Sequence, residues 1–235
     1  MNQPSVFSLT PDEWTAILLS LRIAVVATLV ALPFGTAIAW VLARKDFWGK
    51  ALLDGLVHLP LVLPPVVTGY LLLIAFGRRG VIGGFLADLG IVFAFRWTGA
   101  ALACGVMGFP LLVRAIRLSF EAIDARLEDA SRTLGADSWR VFLTVTLPLA
   151  LPGIIAGMVL CFAKALGEFG ATITFVSNIP GETQTISSAI YTYLQIPTGD
   201  AAAARLVIVA IIISLIALVA SEWLARRAGT RLHGG

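Results

Sequence analysis

Between Thr15 and Leu42 the chain carries a single charged side chain, Arg22, and its apolar residues lie on every side of a helix rather than along one stripe. Such a helix has no face for water, and at this length it crosses the roughly 30 Å hydrocarbon layer of a bilayer with room to tilt. Four further stretches have the same character, at 51–76, 98–118, 148–168 and 205–224. Together they leave 58% of the 235 residues hydrophobic and 13% charged, more apolar side chain than a soluble core can hide. The expectation is an all-α integral membrane protein with five transmembrane helices in one domain, residues 1–235. Met1–Trp14 is polar and lacks the basic start and short apolar core of a cleavable signal, so targeting is expected to rest on the first membrane helix.

Prolines and glycines make most of these helices irregular. Pro33 and Gly35 mark a kink in the first, and Pro110 a bend in the third. The second is interrupted by Pro60, Pro64 and Pro65, which free backbone carbonyls that lipid tolerates only when they are buried in protein or face a wet cavity. Its kinked face is therefore expected to point inward. Pro148 and Pro152 stand where a fourth helix starts, and Gly167-Glu168-Phe169-Gly170 ends it. Residues 170–204 are turn-rich around a helical piece, 186–196, that is too short to span, and are read as re-entrant or outward-facing. His58 has no partner at ligand spacing and reads as a packing or interfacial residue. Cys104 and Cys161 lie in apolar runs without metal or redox spacing.

The net charge of +3 does not point to nucleic acid, because the basic residues flank apolar segments and so act as topology signals. Arg44, Lys45, Lys50, Arg114, Arg117, Arg126, Arg132, Arg140, Arg226, Arg227 and Arg231 fall on one side, against Arg78, Arg79 and Arg96 on the other. The positive-inside rule then puts the N-terminus outside, the C-terminus in the cytoplasm and the segment 124–148 in the cytoplasm. Arg22 is placed to snorkel to the outer interface rather than to meet a substrate.

Asp124–Pro148 is the long polar segment between two strongly apolar ones. Leu127, Ala130 and Leu134 recur at helical spacing and leave Glu128, Asp129, Arg132 and Thr133 on other sides, which predicts a short amphipathic helix. Gly135 would end it in a left-handed conformation, and Asp137 or Ser138 could cap a second short helix bearing Trp139, Val141 and Phe142. Two short helices at an angle make a compact docking knob, whereas an amphipathic segment alone could equally lie on the bilayer surface.

Asp129-Ala130-Ser131, three residues, Gly135, nine residues, then Val145-Thr146-Leu147-Pro148 resembles the EAA motif of ABC-importer permeases, with Asp129, Ser131 and Val145 as conservative departures. Beyond it, 58–73, 75–80, 132–154 and 166–186 resemble the permease subunits of bacterial molybdate transporters, over nearly the whole chain. That resemblance implies the type I ABC importer fold of molybdate, methionine and maltose permeases, in the bacterial inner membrane. It also implies a homodimer, two copies of a cytoplasmic ABC ATPase and a periplasmic molybdate-binding protein. The loop would be the coupling helix, with Leu127, Ala130, Leu134 and Trp139 as buried contacts, Asp129 and Arg132 at their rim, and Glu128 and Gly135 in the same coupling set. Sulfate/thiosulfate and tungstate permeases share the proline-rich run and GEFGAT more loosely, so these anions are the alternative cargoes.

No G-x-x-x-x-G-K-[ST] loop occurs, so no cofactor is expected on this chain and ATP with Mg belongs to the partner ATPase. No His, Asp or Cys constellation suggests catalysis, and no internal repeat suggests an ATP-independent secondary transporter. A dianion crossing a low-dielectric region needs donors without a trapping full charge. Thr68, Gly69, Thr172, Thr174 and Ser177, beside the two most irregular segments, are the path candidates, although membrane hydroxyls commonly satisfy their own helix carbonyls. Glu168 facing a pore would repel that cargo, so it is expected to form a structural intramembrane pair with Lys164, one turn earlier. Arg78, Arg79 and Arg96 either draw anions toward the mouth or anchor the chain at the interface.

Overall fold

The computed structural model describes residues 8–233, with side chains to Ala220 and at Trp223. The start of the polar N-terminal segment, 1–7, and the side chains of Arg226, Arg227 and Arg231 lie outside the described residues. Helix α1 spans Pro11–Arg44, beginning earlier than the apolar run because Thr10 and Glu13 form a reciprocal capping box and Pro11 takes the first turn. The expected second helix is two helices, α2 (Lys50–Val62) and α3 (Pro65–Phe76), bent by 113° at the break. Pro64 and Pro65 cannot donate to the preceding turn, so the hydrogen-bond ladder stops there, while Pro60 is absorbed inside α2.

A short helix α4 (Val81–Asp88) precedes α5 (Trp97–Glu121), which keeps Pro110 inside it. The polar loop holds α6 (Ala125–Thr133) and α7 (Ser138–Val141). Here the structure departs from two separate short helices, because α7 runs on through a π-helical turn, Phe142–Thr146, into α8 (Leu147–Leu166). Pro148 explains the wide turn: its ring would collide with the carbonyl four residues back, and the widened ladder, with Leu147 N–H donating to Phe142 O, relieves the crowding. Residues 170–204 contain α9 (Gly170–Val176) and α10 (Ile186–Leu194), and α11 (Asp200–His233) starts ahead of the expected Arg205. Ala201–Ala204 are strong helix formers and Asp200 favours the positive end of the helix dipole, which extends it.

Helix α5 lies between α1 and α8, and the contacts are made by small residues. Ala24, Ala27 and Ala31 on α1, and Ala100, Ala101, Ala103, Cys104 and Gly108 on α5, are buried. In lipid, apolar association gives no water-driven gain, so close backbone approach through small side chains supplies the packing energy. The outward faces of α2, α3 and α11 carry exposed Leu, Val and Ile, as a bilayer or partner surface requires. Among the described residues, four helices are long and apolar enough to cross a membrane, and the bent α2–α3 pair passes the same test together.

A Cβ at Gly108 would sit 2.7 Å from Cys161 Sγ, whereas one at Gly105 meets only Ala27 O at 3.6 Å. Gly108→Ala should therefore cost about 1–3 kcal/mol of stability through overpacking while Gly105→Ala stays near neutral. Melting temperatures of the two purified variants in detergent check this, and equal behaviour would contradict the packing described.

Candidate functional site

Side-chain caps start both short helices of the polar loop. Asp124 Oδ1 accepts from Arg126 N–H at 2.9 Å and Asp137 Oδ1 from Arg140 N–H at 3.0 Å, capping α6 and α7. Between them Gly135 turns the chain at φ +88°, a value that strains any residue with a Cβ. On this frame Leu134 is 89% exposed, Trp139 68% and Leu127 49%. Ala130, Asp129 and Arg132 are also exposed, with Arg132 and Asp129 paired at 2.7 Å. Trp139 stacks on Phe142 with centroids 5.8 Å apart, and Phe142 meets Trp40 of α1 edge-on at 5.9 Å.

Glu128 does not join that surface. It is buried, and its Oε1 accepts from Arg44 Nη2 at 2.9 Å and from Thr146 Oγ1 at 2.8 Å. Sequence reasoning missed Arg44 and Thr146 as its partners, because each is remote in the chain and Arg44 read only as a topology signal. Such pairings leave no periodic trace.

The path candidates gather on two short crossing helices. Thr68 and Gly69 lie in α3, Thr172 and Thr174 in α9, and Ser177 just after it. The crossing is close: a Cβ on Gly69 would lie 2.5 Å from Ala171 O, and one on Gly170 2.8 Å from Pro65 Cβ. Thr172 and Thr174 hydroxyls donate to the carbonyls of Phe169 and Gly170, each at 2.9 Å, so they are spent within their own helix. The Thr68 hydroxyl is buried with no hydrogen-bond partner among the described residues. Ser177 is exposed and held at φ +67°.

Glu168 is 2% exposed; its Oε2 accepts from Lys164 Nζ at 2.7 Å and its Oε1 from Ala171 N–H at 2.9 Å. The carboxylate thus caps α9 as well as pairing with Lys164, a second role that the sequence did not suggest. Glu13 is fully buried and joins Arg205 Nη2 at 2.6 Å while capping Thr10 N–H, linking the start of α1 to α11. The Thr10-x-x-Glu13 capping box was the available signal for Glu13. The Arg22 guanidinium stacks 3.8 Å over Trp97, at the start of α5. His58 Nδ1 lies 2.9 Å from Asp54 O, on the face where Asp54 also meets Arg117 at 3.0 Å. A groove of about 630 Å³ between α1, α2 and α5 is lined by residues such as Val26, Phe34, Leu56, Pro60 and Phe109, too apolar to hold an anion.

A proline-broken bundle of helices long and apolar enough to cross a membrane, with a polar, apolar-tipped loop on one end, marks a membrane component. In keeping with this, residues 31–230 match the family described as binding-protein-dependent transport system inner membrane component, and the chain belongs to it. It is a multi-pass inner-membrane protein. Among its relatives, the molybdenum transport system permease protein ModB of Escherichia coli K12 is 64% identical over 219 residues, covering 93% of this chain and 96% of that protein. ModB of Haemophilus influenzae is 58% identical over 224 residues, covering 95% and 98%. A chain of the MetNI methionine ABC transporter, solved in inward-facing conformations, shares the fold with a TM-score of 0.70 at 18% identity, covering 97% of this chain and 99% of that one.

Removing one partner from a buried ion pair leaves the other uncompensated. Glu13→Gln should therefore lower stability by about 3 kcal/mol, with most of it regained when Arg205→Met is added. Melting curves of the single and double variants in detergent decide it; additive losses would mean the pair is not coupled.

Proposed function

We propose that this chain is the membrane-spanning permease subunit of an ATP-driven importer that carries molybdate across the bacterial inner membrane. The reading rests chiefly on the 64% identity, over nearly the full length of both chains, to a molybdenum transport permease. It works as a homodimer of type I importer fold with two cytoplasmic ABC ATPase subunits, which bind ATP and Mg, and a periplasmic molybdate-binding protein.

Connectivity supports five crossings. Arg44 at the end of α1 reaches the polar loop, and α5, which follows the α2–α3 pair, ends at the same loop. The chain must return to the opposite end between them, so the bent pair is a broken span. With the basic residues clustered at the loop end, the N-terminus lies outside and the C-terminus inside. The exposed Leu127, Leu134 and Trp139, with Ala130 and Gly135 beside them and Asp129 and Arg132 at the rim, form the ATPase-docking face. The anion passes near the α3–α9 crossing. Thr68 offers an unspent hydroxyl there, Gly69 and Ser177 offer backbone, and Thr172 and Thr174 line it with hydroxyls already bonded. Lys164 and Glu168 neutralise each other and stay structural.

Coexpression with a Walker-motif ATPase and an oxyanion-binding protein should yield a copurifying complex whose ATP hydrolysis rises with molybdate and is displaced weakly by sulfate. Preference for sulfate would reassign the cargo. Leu134→Asp with Trp139→Ala should weaken ATPase association by about tenfold or more, as loss of apolar anchors does at other interfaces. Labelling of Ala136→Cys by an impermeant thiol reagent from the outside would overturn the orientation.

A further inference from the structure

The carboxylate of Glu128 joins three separate segments. Its Oε1 accepts hydrogen bonds from Arg44 Nη2, at the last residue of α1, and from Thr146 Oγ1, at the last residue of the π turn below α8. Its backbone belongs to α6 in the docking loop. Arg44 Nη2 also lies 3.4 Å from Ile123 O, where α5 passes into the loop, and Arg132 Nη2 lies 3.8 Å from the other carboxylate oxygen. The group is largely shielded, with Glu128 7% exposed, so its hydrogen bonds are not readily exchanged for water. Around it, Phe142 touches both Trp40 of α1 and Phe120 of α5.

Without this knot the loop is covalently continuous only with α5 and α8. Among the described residues, the other polar tie of α1 to this end is the longer contact from Arg44 to Ile123 O. We propose that Glu128 is a positioning residue that makes the end of α1, the docking loop and the foot of α8 move as one body when the loop is displaced. This rests on the reading of the loop as the ATPase-docking face, but assigns Glu128 a place behind that face and not on it. Thr146 is the finer probe, because its side chain contributes one hydroxyl to the carboxylate and is itself buried.

The experiment uses the reconstituted complex in proteoliposomes and counts ATP hydrolysed per molybdate imported. Glu128→Gln and Thr146→Val should raise that ratio by about threefold or more, the scale on which single residues alter a mechanical coupling, while the ATPase still copurifies. Thr146→Ser keeps the hydroxyl and should match the unaltered protein, and the exchange of Arg44→Glu with Glu128→Arg should recover part of the loss. An unchanged ratio in Thr146→Val and Glu128→Gln overturns the proposal. So does a parallel loss of import, hydrolysis and copurified ATPase, which would mean the knot only shapes the docking face. An unaltered protein that neither retains the ATPase nor imports anion would instead fail the docking reading itself, and the positioning role with it.

Discussion

Every backbone N–H and C=O inside a bilayer must find a partner within the protein, and this chain breaks its helices in the middle of apolar segments. The helices that follow the two breaks, α3 and α9, pack on each other at Gly69–Ala171 and Pro65–Gly170, while Pro64, Pro65 and Gly167 stay exposed. The cap on α9 comes from a carboxylate, Glu168, whose charge is met by Lys164. Remove the small residues and the crossing opens; remove the carboxylate and α9 loses its first partner. The irregular region exists because α1, α5 and α8 form a tight three-helix body on which it can lean.

Much of this was legible in the sequence because lipid enforces a simple code. Apolar length gave the helices, proline and glycine gave the breaks, and the loop 124–148 announced itself by polarity. The caps at Asp124 and Asp137 and the left-handed Gly135 follow from local chemistry alone. What stayed hidden was set by tertiary contact. Glu128 was grouped with Asp129 in the coupling set because helical spacing says which residues share a face, not what lies opposite that face. Arg44, delivered by a helix that ends 84 positions earlier, and Thr146, 18 positions later, turn it inward. The fusion of α7 with α8 was hidden for another reason. Pro148 was read as a start signal, yet a π turn lets the helix continue past the crowding that proline creates.

The buried charges follow one rule. Arg44 meets Glu128, Lys164 meets Glu168 and Arg205 meets Glu13, so the interior presents matched pairs. Unmatched cations would be a deep well for a dianion, and unmatched carboxylates a barrier. Away from these pairs, the buried Thr68 hydroxyl is a neutral group with no hydrogen-bond partner among the described residues. By contrast, Arg78, Arg79 and Arg96 are exposed and have no ion-pair partner among the described residues. They sit between α3 and α5, at the end opposite the polar loop 124–148.

The same three pairs also set how the bundle can move. Glu128–Arg44 ties α1 to the foot of α8, and Glu13–Arg205 ties the other end of α1 to α11. Glu168 joins the top of α8 to α9, which in turn rests on α3 just past the bend at Pro64. A displacement of the loop therefore has a continuous route of hydrogen bonds and close backbone contacts to the α3–α9 crossing. Along that route the chain bends by 113° between α2 and α3, where Pro64 and Pro65 have no N–H to give to the ladder. Thr68 lies one turn past that bend, beside the close approach of Gly69 to Ala171, so the route ends at a buried hydroxyl with no partner among the described residues.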